Sequence, residues 1–117
     1  MKIYIGADHA GFELKEKLKA FLSGLGYAVE DKGAASYDAG DDYPDFVTPV
    51  AQAVAADPAN FGIVLGGSGQ GEAMCANRVH GVRAALFYDG PMEIVRLSRE
   101  HNNANILSLG ARFIKEQ

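Results

Sequence analysis

The sequence predicts a three-layer α/β fold in which five parallel strands form one sheet with helices on both faces. Short apolar runs alternate along the chain with stretches in which apolar residues recur at helical spacing. Loops rich in Gly, Asp or Asn separate these stretches. Repeated strand–helix units require right-handed crossovers, which keep the strands parallel and place helices on either side of them. With 117 residues, of which 48% are hydrophobic, the chain fits a single domain over residues 1–117.

Each element of this fold has its own signal in the sequence. Five short apolar segments bounded by turn-forming residues are predicted to be strands. They are residues 2–7, 27–31, 61–65, 82–87 and 106–109. Helices are predicted for residues 12–25, 44–56 and 91–100, and for a stretch that opens in the loop at 66–72 and runs through Asn77. Residues 32–42 are polar and rich in Gly and Asp, which is typical of a loop.

The end of the chain is short for this kind of fold. After the fifth predicted strand, residues 110–117 supply only the first turns of a closing helix. We therefore expect one face of the last strand to be poorly covered, so that either a partner subunit covers it or the chain has been shortened.

Composition excludes several classes of function. The net charge of −4 argues against a broad nucleic-acid surface, which needs clustered Lys and Arg. No apolar run approaches the length of a membrane span or a signal peptide, and we expect no membrane partner. The single cysteine, Cys75, cannot form an internal disulfide, which fits the cytoplasm. Three His without further ligands at suitable spacing make a metal site improbable.

The glycine-rich stretch at residues 66–72 (GGSGQGE) is the strongest functional signal. It follows a predicted buried strand and opens a helix, so its N–H groups and the helix N-terminus can bind an anion. It matches neither the dinucleotide fingerprint after a first strand nor a Walker-type loop. Glu72 lies at the edge of the loop and is a candidate general base, although a first-turn Glu is also favoured by the helix dipole alone.

Other polar residues are predicted to lie near this loop. Asp8 and His9 follow the first strand, where they could transfer protons or simply cap the loop. The cluster at residues 101–105 (HNNAN) either contributes to a site or caps a helix. Arg112 could hold a phosphate or be an ordinary surface residue. Because ligands bind at the carboxyl ends of parallel strands, we expect the loops at Asp8, Gly66 and His101 to lie at or near that edge.

Taken together and in order, these motifs resemble the type B ribose-5-phosphate isomerase family, which includes related sugar-phosphate isomerases. The matching segments are 6–12 (GADHAGF), 42–45 (DYPD), 67–71 (GSGQG), 76–78 (ANR), 81–85 (GVRAA), 101–105 (HNNAN) and 109–112 (LGAR). Each motif is short, but the ordered set covers nearly the whole chain.

The resemblance implies a Rossmann-like fold, a homodimer whose active sites use both subunits, and an aldose–ketose isomerase without a cofactor. One branch of the family has a Cys base where this chain has Gly66, and another has a Glu at the position of Glu72, which this chain resembles. His101 matches a residue used in opening the sugar ring. The substrate-binding positions of the family match Asp8, His9, Asn102 and Arg112. Typical members continue into a further helix with phosphate-binding arginines, which are absent from residues 1–117.

The expected reaction converts ribose 5-phosphate to ribulose 5-phosphate through an enediolate. Glu72 would move a proton from C2 to C1, and His101 would open the ring. The hydroxyl of Ser68 and the N–H groups of the loop would stabilise the negative charge. The loop positions concerned are Gly67, Gly69 and Gly71. Two alternatives remain open: an isomerase of allose 6-phosphate or galactose 6-phosphate, and a non-catalytic module that binds a sugar phosphate or nucleotide.

Overall fold

A computed structural model of the chain describes residues 2–34, 36, 40 and 42–114. In these residues the strands are β1 (Lys2–Ala7), β2 (Ala28–Asp31), β3 (Phe61–Gly66), β4 (Ala84–Phe87) and β5 (Ile106–Gly110). The α-helices are α1 (Phe12–Gly24), α2 (Pro44–Ala56), α3 (Gln70–Asn77) and α4 (Glu93–Asn102). All strand pairs are parallel, and the sheet has the order β2-β1-β3-β5-β4. The prediction of an α/β fold with a five-stranded parallel sheet is confirmed.

The strand β4 begins later than the sequence indicates. It was expected from residue 82, but pairing with β5 starts at Ala84. The N–H of Val82 is bound in a turn by the carbonyl of Val79 (3.1 Å), and the N–H of Arg83 donates to the side chain of Asn105 (2.7 Å). These bonds replace the ladder, so an apolar run alone overestimates the strand. The predicted loop at 32–42 lies partly outside the described residues.

The helix α4 is shifted toward the C-terminus relative to the predicted 91–100. It starts at Glu93, and its first turn carries this acidic residue. It continues to Asn102 and ends where Asn103 takes a left-handed conformation with φ 51°. Asn tolerates this conformation better than most residues, so the polar cluster supplies the stop signal. As a result, His101 belongs to the last turn of a helix and not to a loop.

The two faces of the sheet are covered unequally. On one face, α2 and α3 enclose a buried cluster of Val, Ala and Ile side chains. Its members are Val47, Val50, Ala51, Val54, Val64, Ala76, Val82 and Ile106. On the other face, α1 and α4 leave between them an open groove of about 660 Å³, whose lining includes Leu18, Val95 and Leu107. The expectation that one face of the last strand is poorly covered is confirmed.

None of the described helices combines the length and the apolar character that crossing a bilayer requires.

Candidate active site

Three neighbouring strands deliver polar groups to one edge of the sheet. β1, β3 and β5 are adjacent, and all three run in the same direction. Their carboxyl ends therefore meet at one edge. Asp8 follows β1, the glycine loop follows β3, and Arg112 is the second residue after β5. The predicted meeting of Asp8 with the glycine loop is thus a direct result of the strand order, and Arg112 joins them at this edge.

The end of β5 fixes the orientation of the peptides at the start of the glycine loop. The carbonyl of Gly66 accepts from the N–H of Ala111 (2.7 Å), and the carbonyl of Gly67 accepts from the N–H of Arg112 (3.0 Å). In a trans peptide, the N–H of the next residue points opposite to the carbonyl. The N–H groups of Gly67 and Ser68 therefore point away from β5, toward the open side of the loop.

Close packing between the loop and β5 requires glycine at two positions. Gly69 has a φ of +82°, and a Cβ there would lie 2.7 Å from the side chain of Leu86 and 3.0 Å from the backbone nitrogen of Gly110. A Cβ at Gly110 would overlap the carbonyl oxygen of Ser68. Larger residues would push the loop off the strand, so both glycines set where the donors stand.

Glu72 is buried at the centre of this arrangement. It occupies the first turn of α3 and is 4% exposed. Its carboxylate folds back over Gly66, where a Cβ would overlap the carboxylate atoms. Burial raises the pKa of Glu72 above its ordinary 4.5; its own backbone N–H opposes this shift, and the negative charge of Asp8 adds to it. A carboxylate with a raised pKa in a dry position has the properties of a general base.

Asp8 serves two purposes at the end of β1. Its Oδ1 accepts a hydrogen bond from the N–H of Ala10 (3.0 Å), which caps the single 3₁₀ turn His9–Gly11. The capping role considered from the sequence is therefore present. Asp8 is also 8% exposed, and its charge acts on Glu72. The half-buried His9 begins the turn that Asp8 caps.

A cation and two hydroxyls complete this half of the site. The guanidinium of Arg112 lies over Gly67, with one nitrogen 3.2 Å from where a Cβ would stand. The Oγ of Ser68 accepts from the N–H of Gln70 (3.2 Å), which leaves its own hydrogen available to a ligand. The ring of Tyr43 lies against Gly71, with its oxygen 3.1 Å from the corresponding Cβ position. Loop donors, a guanidinium and hydroxyls together form a cradle for an anionic ligand.

Sequence reasoning assigned no role to Tyr43. The residue is the N-cap of α2 and precedes Pro44, which occupies the first helical position. This helix start turns the chain at the carboxyl edge and brings the Tyr43 ring to Gly71. The Tyr-Pro pair was the available signal, but it indicates a helix boundary and not the neighbour of the ring.

His101 and Asn102 do not join this half of the site, and their predicted placement is wrong. A crossover helix runs antiparallel to the strands it connects, so its C-terminus lies at the amino edge of the sheet. α4 ends at Asn102, and β5 starts at Ile106, opposite Gly62 at the amino-terminal end of β3. The five residues of β5 span roughly 16 Å. Within one chain, His101 therefore lies at the opposite edge from Glu72.

The rest of the HNNAN cluster has structural roles. Asn103 ends α4, and its Oδ1 accepts from Arg99 (2.6 Å). Asn105 is buried; its Oδ1 accepts from the N–H of Arg83 (2.7 Å), and its Nδ2 donates to the carbonyl of Gly81 (3.0 Å). The capping interpretation accounts for these two Asn. His101 and Asn102 are exposed, as is Asn103, so this end of α4 faces outward.

No group of three or more His, Cys, Asp or Glu suited to a metal ion occurs in the described part of the chain.

Comparison with known proteins identifies the family. A family model described as Ribose/Galactose Isomerase matches residues 3–117. The chain belongs to the ribose/galactose isomerase family. It is 51% identical over 113 residues to ribose-5-phosphate isomerase B of Mycolicibacterium paratuberculosis, a match covering 97% of this chain and 70% of that protein. It is 48% identical to the enzyme of the same name from Mycobacterium tuberculosis, covering 97% of this chain and 68% of the relative.

Solved structures of the family share the fold. A crystal structure of ribose-5-phosphate isomerase B from Mycoplasma genitalium with bound ribulose 5-phosphate matches with a TM-score of 0.93 and 40% identity. The match covers 97% of this chain and 74% of the Mycoplasma genitalium chain. The corresponding protein of Thermotoga maritima matches with a TM-score of 0.90 and 49% identity, with 97% of this chain and 77% of that chain covered. The resemblance in sequence motifs and the similarity of folds thus agree.

Proposed function

We propose that residues 1–117 form one isomerase domain that interconverts ribose 5-phosphate and ribulose 5-phosphate through an enediolate. One observation carries this proposal: the buried carboxylate of Glu72 lies over Gly66, at the start of a loop whose Gly67 and Ser68 N–H groups point away from β5. Moving a proton between two carbons needs a base and a set of donors for the oxyanion that forms. The choice of ribose 5-phosphate as the substrate rests on the names of the relatives.

The reaction begins with opening of the sugar ring. The ring oxygen takes a proton as its bond to C1 breaks, and the C1 hydroxyl loses its own proton, which leaves an aldehyde. His101, together with Asp8, donates the proton to the ring oxygen, and the proton that leaves the C1 hydroxyl passes to water. An imidazole changes charge near neutral pH, so it can give and recover this proton in each cycle.

Isomerisation then shifts one proton. Glu72 removes the proton from C2, and the electron pair moves through C1 to the carbonyl oxygen, which gives the enediolate. The N–H groups of Gly67, Gly69 and Gly71 and the hydroxyl of Ser68 stabilise its charge; one such donor contributes about 3–4 kcal/mol. Glu72 returns the proton to C1 while the hydrogen of the C2 hydroxyl passes to the C1 oxygen, which leaves a ketone at C2 and a hydroxyl at C1. Arg112, His9 and Asn102 bind the phosphate and hydroxyl groups.

A homodimer would bring the two edges together. Glu72 and His101 lie at opposite edges of one sheet, roughly 16 Å apart along β5. A ligand the size of a pentose phosphate cannot touch both in a single chain. In a dimer with two-fold symmetry, the amino edge of each copy can face the carboxyl edge of the other. We propose that each active site takes Glu72 from one subunit and His101 from its partner.

The cytoplasm is the proposed compartment, because Cys75 is a free thiol, as reducing conditions favour.

Turnover of ribose 5-phosphate by Glu72→Gln tests the proposal. We expect a loss of about 10²- to 10⁴-fold in kcat, the range for removing a general base. Glu13→Gln is the matched control, since Glu13 also occupies the first turn of a helix but is exposed. Unchanged turnover in Glu72→Gln would exclude Glu72 as the base. Higher kcat/KM with allose 6-phosphate or galactose 6-phosphate would change the substrate, and binding without turnover would indicate a non-catalytic module.

A further inference from the structure

We propose that Ser108 is a positioning residue for the oxyanion-binding loop, an inference that rests on the function proposed above. Ser108 lies in the middle of β5 and its side chain is fully buried, 0% exposed. Its Oγ donates a hydrogen bond to the carbonyl of Gly69 at 2.6 Å. The carbonyls of Gly66 and Gly67 accept from backbone N–H groups just after β5. The Ser108 hydroxyl adds a third bond, from β5 itself to the Gly69 carbonyl.

The surroundings of Ser108 make its hydroxyl unusual. It pairs with Val64 on β3 and with Leu86 on β4, so apolar residues flank it on both sides in the sheet. Burying a hydroxyl costs free energy unless a partner accepts its hydrogen. An apolar residue would suit this place in the strand better. The hydroxyl is explained by the carbonyl of Gly69, which belongs to the loop and not to the sheet.

The bond continues into the catalytic half of the site. Because the Gly69 carbonyl is held by Ser108, the next N–H, that of Gln70, points the opposite way. That N–H donates to the Oγ of Ser68 at 3.2 Å. Ser68 thus receives a hydrogen bond from the protein and directs its own hydrogen outward. Ser108 acts on the oxyanion through this chain of bonds and does not touch the substrate.

A second bond limits the expected effect. The Gly69 carbonyl also accepts from the N–H of Ala73 (3.0 Å), the first bond of α3. Loss of the Ser108 hydroxyl leaves this bond in place, so the loop keeps its helical connection but loses its lateral one. We expect Ser108→Ala to lower kcat roughly tenfold, which is less than the loss of a direct oxyanion donor. KM should stay within about twofold, because the phosphate contacts do not depend on this peptide.

A matched control separates positioning from general stability. Thr48→Val removes a part-buried hydroxyl whose partner is the Sγ of Cys75 (3.5 Å), on α2 and away from the loop. We expect it to leave kcat unchanged. Affinity for a hydroxamate analogue of the enediolate should fall in Ser108→Ala by the same factor as kcat/KM, while affinity for inorganic phosphate stays the same. Equal kcat in Ser108→Ala and wild type, or equal losses of analogue and phosphate affinity, would overturn the proposal.

Amide hydrogen exchange gives a readout that needs no turnover. The Gln70 amide should exchange at least severalfold faster in Ser108→Ala than in wild type and in Thr48→Val, because its peptide is less firmly held. Unchanged exchange would show that Ser108 does not position this peptide, whatever the activity of the wild type. If wild type lacks ribose 5-phosphate turnover while Gln70 exchange rises in the variant, the proposed function fails and the positioning role stands.

Discussion

The two edges of the sheet treat their polar residues in opposite ways. At the carboxyl edge, Glu72 is buried with a raised pKa and lies close enough to Asp8 for their charges to interact unfavourably. At the amino edge, the buried Asn105 has hydrogen bonds to its side-chain oxygen and nitrogen, and His101 is left exposed. At the first edge, burial of the Glu72 carboxylate costs free energy but prepares the group for proton transfer. At the second edge, the buried polar groups of Asn105 are hydrogen-bonded, and His101 is exposed to solvent.

Gly66→Ala should have the largest effect on this difference. All three atoms nearest to a Cβ at residue 66 belong to the carboxylate of Glu72, and Gly66 is not among the glycines with positive φ. The backbone therefore tolerates Ala, and the carboxylate must leave. We expect kcat to fall by about 10²- to 10⁴-fold, as in Glu72→Gln, because the base is displaced.

A glycine without neighbours provides the control for Gly66→Ala. Gly24 ends α1 and has no atom within 4 Å of a built Cβ, so Gly24→Ala should leave kinetics unchanged. The double variant Gly66→Ala/Glu72→Gln should be no less active than Glu72→Gln, since both changes remove the same group. Full activity of Gly66→Ala, measured as ribose 5-phosphate turnover, would show that the position of the carboxylate over Gly66 is not the working one.

Mixing subunits tests whether the two edges meet in a dimer. Glu72→Gln and His101→Ala chains should each be nearly inactive alone. If every site takes one residue from each subunit, a mixed dimer has one intact site and one doubly altered site. Random pairing makes half of the dimers mixed, so co-expression should restore roughly one quarter of wild-type turnover. No recovery in tagged, purified mixed dimers would contradict an active site that takes Glu72 from one subunit and His101 from the other.

The fold was readable from the sequence because its signals are local. Apolar runs and stop residues such as Gly26 located every strand and α-helix in the described residues, with shifts of two residues at the start of β4 and at both ends of α4, while the 3₁₀ turn His9–Gly11 was expected to be a loop. The edge at which His101 lies follows from the order of the elements in a parallel sheet, which the local motif does not contain. A residue between α4 and β5 comes before β5, so it lies at the amino edge whether or not it belongs to the helix. Tyr43 contacts Gly71, and Ser108 donates a hydrogen bond to Gly69. Both contacts join residues distant in sequence, so local residue spacing could not predict them.

Two asparagines at the amino edge should separate scaffold from site. Asn105→Ala removes both hydrogen bonds to the 81–83 turn and should destabilise the fold by about 1–3 kcal/mol, since it leaves buried groups unpaired. Asn102→Ala changes an exposed residue and should alter stability by about 0.5 kcal/mol or less while raising KM. Urea unfolding and turnover of the same samples compare the two. Equal stabilities would mean that Asn105 does not hold this edge.

The smallest expected effect is the dependence of stability on pH at the carboxyl edge. Folding raises the pKa of the Glu72 carboxyl above 4.5, chiefly through burial, so the folded chain favours the protonated form. This contribution is fully present below about pH 4.5 and is lost as the pH rises through the raised pKa. The unfolding free energy of wild type should therefore decline relative to that of Glu72→Gln as the pH rises above about 4.5. The lowered pKa values of Glu30 and Asp31 act in the other direction but are common to both chains, so they cancel.

The same titration should appear in the activity with the opposite sign. Glu72 works as a base only when ionised, so the acid limb of kcat/KM should lie above pH 4.5, over the range in which wild type loses stability relative to Glu72→Gln. Activity and stability would then trade against each other through one carboxylate, as expected where burial prepares a group for proton transfer. Two results would contradict the proposal that Glu72 is a buried base with a raised pKa. One is an acid limb at or below pH 4.5, and the other is a stability difference that grows in favour of wild type as the pH rises. His101→Ala, whose altered residue is exposed at the other edge, should show the same pH dependence of stability relative to Glu72→Gln as wild type does.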